Sequence, residues 1–277
     1  MLKPDYRLDP VRRMVVMGES NAYGMCAGDP LNEWVQALAF LIRRFQDGPL
    51  RVFNNSIPAN VVSPRAPGYG AFLGCGTAPS ALERFDQDMI SYKPDLAVYA
   101  YGLNDSRCGH ALDSFIADYG TIIARTRECL PDALLVLVGP YWNTQYEVAE
   151  WTRHEYDSVR EGFGPFAVGG SDLVLSYNKS IANLAARHRA LFVDVYSVTE
   201  RAAWLLNGDQ CHFNDVGQWL IGQTVFGAIA ANCSFIGRKS ADAAAEAGLT
   251  IHTTGGTNAL PDVIEAWRPS NCGPAGA

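Results

Sequence analysis

The chain has 277 residues, 48% of them apolar and 18% charged, which is enough to bury a full core and too few charges for a disordered protein. Its net charge of −7 leaves no basic footprint for nucleic acid or an anionic membrane, and no apolar run approaches the length of a membrane span. Residues 1–13 are polar, with two prolines and no apolar signal core, so the expected location is the cytoplasm.

In chain order, Arg13 to Met17 reads as a first strand. Trp34, Leu38, Leu41, Ile42 and Phe45 then recur at helical spacing. Leu50 to Phe53 is a second strand, ending in Asn54-Asn55. Ala78 to Ser91 reads as a helix with Leu82, Phe85, Met89 and Ile90 on one face. Asp95 to Tyr101 is a third strand, apolar throughout and so buried on both faces. Phe115, Tyr119, Ile122 and Ile123 mark the next helix, and Ala133 to Val138 is a fourth strand stopped by Gly139-Pro140. Leu173 to His188 is a helix, Ala190 to Val195 a fifth strand, and Val216 to Ala231 a final helix.

This alternation predicts an α/β fold: a three-layer α/β/α sandwich around a mainly parallel five-stranded sheet. Right-handed crossovers place every strand's C-terminal end on one edge, where ligands bind in open sheets. Two segments exceed ordinary connections: 61–77, rich in Pro and Gly, and 141–170, rich in aromatics. Both leave from the expected active edge and read as substrate-shaping insertions in a single domain, 1–237. Residues 238–277 read as an appended segment and tail. Nothing in the sequence specifies an oligomeric state.

Three short motifs carry chemistry. Met14-Val15-Val16-Met17 ends abruptly in Gly18-Glu19-Ser20-Asn21, which holds a serine at the tip of a buried strand. Asp209-Gln210-Cys211-His212 puts a base close to a carboxylate that can orient it. Tyr101-Gly102-Leu103-Asn104-Asp105 follows the third strand and can supply an oxyanion donor. A serine hydroxyl needs a base within hydrogen-bond reach, and His212 is the best one, since His110, His154, His188 and His252 have no comparable motif. The reading is a nucleophile Ser20, a base His212 and an orienting Asp209. Asp215 is also near and is read as the cap of the following helix. The seven cysteines are odd in number, with no Cys-x-x-Cys pair, so no metal and no organic cofactor are expected.

These blocks resemble the SGNH (GDSL-like) hydrolase family: Gly18-Glu19-Ser20, Asn54 to Asn60, Gly102-Leu103-Asn104-Asp105, and Asp209 to His212. The resemblance spans roughly residues 12–233. Glu19 stands where the family usually has Asp, and Ala59 where it usually has Gly. The resemblance implies an oxyanion hole made by the Ser20 N–H, the Ala59 N–H and the Asn104 side-chain amide, with Gly74 and Gly76 as alternatives to Ala59. It implies a serine esterase acting on a small-molecule ester. The aromatic 141–170 segment points to short-chain acyl esters of carbohydrates, with Tyr141, Trp142 and Trp151 as substrate contacts. Lysophospholipase, thioesterase and acyltransferase activities share the same motifs, and an idle carbohydrate-binding protein is the rival from another class.

Overall fold

The computed structural model describes residues 5–46, 48–66, 69, 79–107, 110–144 and 171–237. The expected contacts and donors Trp151, Gly74 and Gly76, and the tail 238–277, lie outside them.

Five strands form one sheet: β1 (Arg13–Gly18), β2 (Arg51–Asn54), β3 (Leu96–Ala100), β4 (Leu134–Val138) and β5 (Leu191–Val193). All neighbours pair in parallel, in the order β2-β1-β3-β4-β5. The helices, in chain order, are α1 (Ser20–Tyr23), α2 (Trp34–Gln46), α3 (Ala81–Asp88), α4 (Leu103–Arg107), α5 (Leu112–Cys129), α6 (Ser171–Arg187), α7 (Tyr196–Thr199) and α8 (Asp215–Asn232). None of the described helices is long and apolar enough to cross a membrane.

The central strands are uninterrupted apolar runs because both of their faces are covered. Successive side chains alternate between two cores. Met14, Val16, Leu96, Val98, Leu134 and Val136 pack with Trp34, Leu38 and Ile42 of α2 and with Ile221, Val225 and Ile229 of α8. Val15, Met17, Ala97, Tyr99, Leu135 and Leu137 pack on the opposite side, with Phe85 of α3, Phe115 and Tyr119 of α5, and Tyr177 and Ile181 of α6. The sandwich therefore has the three expected layers.

Element ends differ from the expected ones for identifiable reasons. Helix α3 starts at Ala81 because the Glu83 carboxylate accepts from the Ser80 backbone N–H (2.9 Å) and hydroxyl (2.7 Å), a capping interaction at the first turn. The fifth strand stops at Val193 because Asp194 accepts from the Ser197 N–H (3.1 Å) and turns the chain into α7. Helix α8 is capped by Asn214, whose side chain accepts from the Gly217 N–H at 3.1 Å. Asp215 is thus not the cap. Its carboxylate instead takes the Gly28 N–H (2.6 Å) and the Asn32 amide (2.9 Å), tying residues 28–32 to α8.

The strand order reverses direction between β1 and β3, the point where open sheets gape at their carboxyl ends. Register pairs Gly18 with Ala100 there, so Glu19-Ser20 and Tyr101-Gly102 leave the sheet side by side. Gly18 is required by this closeness: a Cβ on it would lie 2.7 Å from the Ala22 Cβ and 2.9 Å from the Ala100 carbonyl oxygen.

Candidate active site

The first turn after β1 puts Ser20 at the start of α1, nearly buried at 5% exposure. Its Oγ lies 2.8 Å from Nε2 of His212. The other ring nitrogen, Nδ1, lies 2.5 Å from the Asp209 carboxylate. The three side chains form one hydrogen-bonded line, drawn from positions 192 residues apart.

The loop that carries the base is a tight excursion. Leu206 bridges Phe213, and the Asn207 N–H donates to the His212 carbonyl at 2.8 Å. Inside it, Asp209 Oδ1 accepts the backbone N–H groups of Cys211 and His212, both at 3.0 Å, while Oδ2 faces the ring. Burial would raise the Asp209 carboxyl, but the Cys211 N–H and the His212 ring and N–H outweigh it and hold the pKa below the ordinary carboxylate value. An ionised carboxylate at Nδ1 selects the tautomer in which Nε2 is free to accept from Ser20. The Phe213 N–H donates to Asn21 Oδ1 at 3.1 Å, so the residue next to the serine also anchors the base-bearing loop.

The expected oxyanion donors besides Ser20 lie on the second and third blocks. The Asn104 amide, 4% exposed, sits at the start of α4 and donates to the Asn60 carbonyl at 3.3 Å. The second block continues along the end of β1 through hydrogen bonds from Asn55 N–H to the Val16 carbonyl (2.8 Å) and from Ile57 N–H to the Gly18 carbonyl (3.0 Å). This leads the chain to Ala59, which has φ +57°, in the left-handed region. Non-glycine residues occupy that region at a cost of about 1–2 kcal/mol, which gives a physical reason for a glycine at this position in other sequences. Among the described residues, no hydrogen bond from the backbone N–H of Ser20 or Ala59 is seen.

Several groups support the site. Glu19, 5% exposed, grips the third block: its carboxylate oxygens accept from the Leu103 N–H (2.9 Å) and the Asn104 N–H (3.0 Å). The buried Arg84 of α3 binds the Asn55 carbonyl (2.6 Å), Asn60 Oδ1 (3.1 Å) and the Tyr101 hydroxyl (2.8 Å), which fixes the second block from below. Asp105 accepts the Val62 N–H at 2.9 Å and so ties the third block to the chain just after the second, and burial pushes its carboxyl up. Asn54 donates to the Ala22 carbonyl at 2.7 Å and so ties β2 to the serine turn. All of these link segments far apart in sequence, and Arg84 lies outside the four blocks.

The expected aromatic contacts divide. Trp142 is only 2% exposed and belongs to the core cluster, with its backbone N–H donating to Thr199 Oγ1 at 3.1 Å. Its burial makes it a packing residue rather than an exposed surface for substrate. Tyr141, 8% exposed, packs edge-on against Phe213 at 4.9 Å and so braces the residue after the base. Trp204, which no motif marks, is 69% exposed just before the His212 loop, and the Cys26 thiol lies 3.6 Å from Asp209 Oδ2.

A family model for GDSL-like lipases and acylhydrolases matches residues 16–220, a span that holds the serine turn, the second and third blocks and the Asp209–His212 loop. The chain belongs to the GDSL-like lipase/acylhydrolase family. It is accordingly an ester-hydrolysing enzyme. Solved structures share the GDSL-like fold at low identity. A protein described as a GDSL-like lipase from Parabacteroides merdae has TM-score 0.58 and 18% identity, covering 82% of this chain and 99% of that one. LAE5, an alpha/beta hydrolase from the metagenome of Lake Arreo, has TM-score 0.57 and 19% identity, covering 81% and 97%. Axe2, an acetylxylan esterase from Geobacillus stearothermophilus, has TM-score 0.55 and 16% identity, covering 80% and 96%. A comparison with curated proteins by sequence gives no match.

Proposed function

We propose that this GDSL-like hydrolase is a serine esterase that removes short acyl groups, acetyl above all, from carbohydrates or similar small alcohols. The observation that carries the chemistry is the continuous line Ser20–His212–Asp209, with contacts of 2.8 and 2.5 Å. Ser20 Oγ attacks the ester carbonyl carbon while its proton passes to His212 Nε2. Asp209 stabilises the imidazolium that forms and keeps its orientation. The carbonyl oxygen becomes an oxyanion that takes hydrogen bonds from the Ser20 N–H, the Ala59 N–H and the Asn104 amide. The intermediate collapses to acyl-Ser20, and His212 returns the proton to the departing alkoxide. Water then repeats the cycle with His212 as base, releasing the acid and restoring the serine.

Two features support the substrate class. The fold is shared with Axe2, whose substrate is an acetylated xylan. Trp204 offers an exposed indole on the segment leading into the His212 loop, a surface that can stack on a sugar ring. The test is a panel of p-nitrophenyl esters of rising acyl length beside acetylated xylooligosaccharides, with Ser20→Ala as the blank. Rates that fall steeply beyond acetyl, together with acetate release from the oligosaccharides, fit the proposal. A preference for long acyl chains contradicts it and favours a lysophospholipase or thioesterase.

A further inference from the structure

We propose that Cys26, Asp209 and His212 form a binding site for a thiophilic divalent cation of the zinc type, and that its occupation stops ester hydrolysis. The inhibition rests on His212 being the base, as proposed above; the binding does not.

The three ligand atoms, a cysteine sulfur, a carboxylate oxygen and an imidazole nitrogen, all lie within 4.8 Å of one another. This donor set suits zinc, whereas magnesium and calcium take oxygen ligands. Cys26 is held in place by its backbone. It sits in the left-handed region (φ +67°), and its carbonyl accepts the Asn207 side-chain amide at 3.0 Å, from the very loop that carries Asp209 and His212. Two residues on, the Gly28 N–H is fixed by Asp215 at 2.6 Å. The thiol therefore points at Asp209 Oδ2 from a clamped segment, at 3.6 Å. Both Cys26 and the 40%-exposed Asp209 side chain open to solvent, so an ion can enter without passing through the core.

The distances fit. Zinc bonds of about 2.3 Å to sulfur and about 2.1 Å to oxygen, at a tetrahedral angle, put the two ligands about 3.6 Å apart. Cys26 and Asp209 already stand at that separation. Oxygen and nitrogen ligands would stand about 3.4 Å apart, so the His212–Asp209 contact of 2.5 Å must open by about 0.9 Å; Asp209 Oδ1 is held by the Cys211 and His212 N–H groups, so the imidazole makes that movement. Water completes the fourth position. On binding, Cys26 releases its thiol proton to solvent, and the proton on His212 Nδ1 moves to Nε2 as Nδ1 takes the metal. His212 then presents an N–H to Ser20 and cannot accept its proton, so the first step of hydrolysis is blocked.

The test uses the full chain, reduced and stripped with chelator, and has two arms. In the first, cobalt(II) is titrated as a spectroscopic probe. We expect a near-ultraviolet thiolate-to-cobalt charge-transfer band saturating at one ion per chain, lost in Cys26→Ala and in His212→Ala but kept in Cys129→Ala, a control at another exposed thiol. In the second, zinc inhibits p-nitrophenyl acetate hydrolysis and EDTA reverses it. The half-inhibiting zinc concentration should rise at least about 10-fold in Cys26→Ala, each variant being read against its own uninhibited rate, since a lost ligand should cost no less than a lost outer-shell partner. A missing cobalt–thiolate band, or a band that survives in Cys26→Ala, overturns the site. Equal zinc sensitivity of wild type and Cys26→Ala overturns the inhibition. If the chain hydrolyses no ester, the function proposal fails while the cobalt arm still decides the site.

Discussion

Replacing Glu19 with Gln isolates a contact that the chemistry needs but does not consume. The carboxylate accepts from the Leu103 N–H at 2.9 Å and the Asn104 N–H at 3.0 Å, and it is buried. A glutamine keeps the shape but offers one acceptor oxygen, so one of these N–H groups must face an NH₂ group. Hydrogen bonds to charged groups contribute about 1.5–3 kcal/mol each, so stability should fall by about that much, and the start of α4 should shift. That shift carries the Asn104 amide away from the place where negative charge develops. Complete loss of one oxyanion donor costs about 2.7–4 kcal/mol, or 10²–10³ in kcat, which sets the ceiling. Because the donor is displaced rather than deleted, kcat should fall by about 10- to 100-fold. KM should change little, since the lost interaction forms only in the transition state. Glu19→Asp, which keeps the charge but is one methylene shorter, should lie between. The assay is kcat and KM on p-nitrophenyl acetate, with a thermal melt for each variant. A destabilised Glu19→Gln whose kcat stays within about two-fold of wild type would refute the reasoning, because Glu19 would then hold the fold without positioning Asn104.

Ser20→Ala and His212→Ala should each remove most turnover, and the double variant should be scarcely worse than either, as for residues that act in one step; multiplicative losses in kcat would separate them. Asp209→Asn should keep the fold and lower kcat by roughly 10³–10⁴, through loss of the correct tautomer; near-normal kcat would move the orienting role elsewhere. Trp142→Ala should cost about 3–5 kcal/mol in a denaturant melt, because it empties a core position, and should leave the ratio of bulky-ester to small-ester kcat/KM unchanged; an altered ratio in a stable variant would place it at the substrate.

The layers of the fold were legible because period and continuity in the sequence map directly onto burial. Residues 96–100 and 134–138 read as unbroken apolar runs since both sheet faces are covered, and the helices between them show their buried stripes. The serine turn and the Asp209–His212 pair were legible because their contacts are set by local geometry within three residues. The supports were not. Glu19 to Leu103, Asn21 to Phe213 and Arg84 to Asn55 are long-range hydrogen bonds between residue types that are ordinary at the surface. No periodicity marks them, and only the assembled topology brings them together. Asp215 misled for a related reason: an acidic residue at a helix start looks like a cap, but Asn214 one position earlier has the extended backbone that capping needs. Trp142 misled because an aromatic after a strand has the same letter whether the chain turns towards solvent or over the core.

The central claim is that Ser20, activated by His212, becomes acylated during turnover. The most direct measurement is active-site labelling with a fluorophosphonate, followed by digestion and mass spectrometry of the full chain. The account predicts one adduct per chain, on Ser20, parallel loss of esterase activity, and no adduct in Ser20→Ala. Labelling on another residue, or full esterase activity in a protein whose Ser20 is blocked, would contradict it.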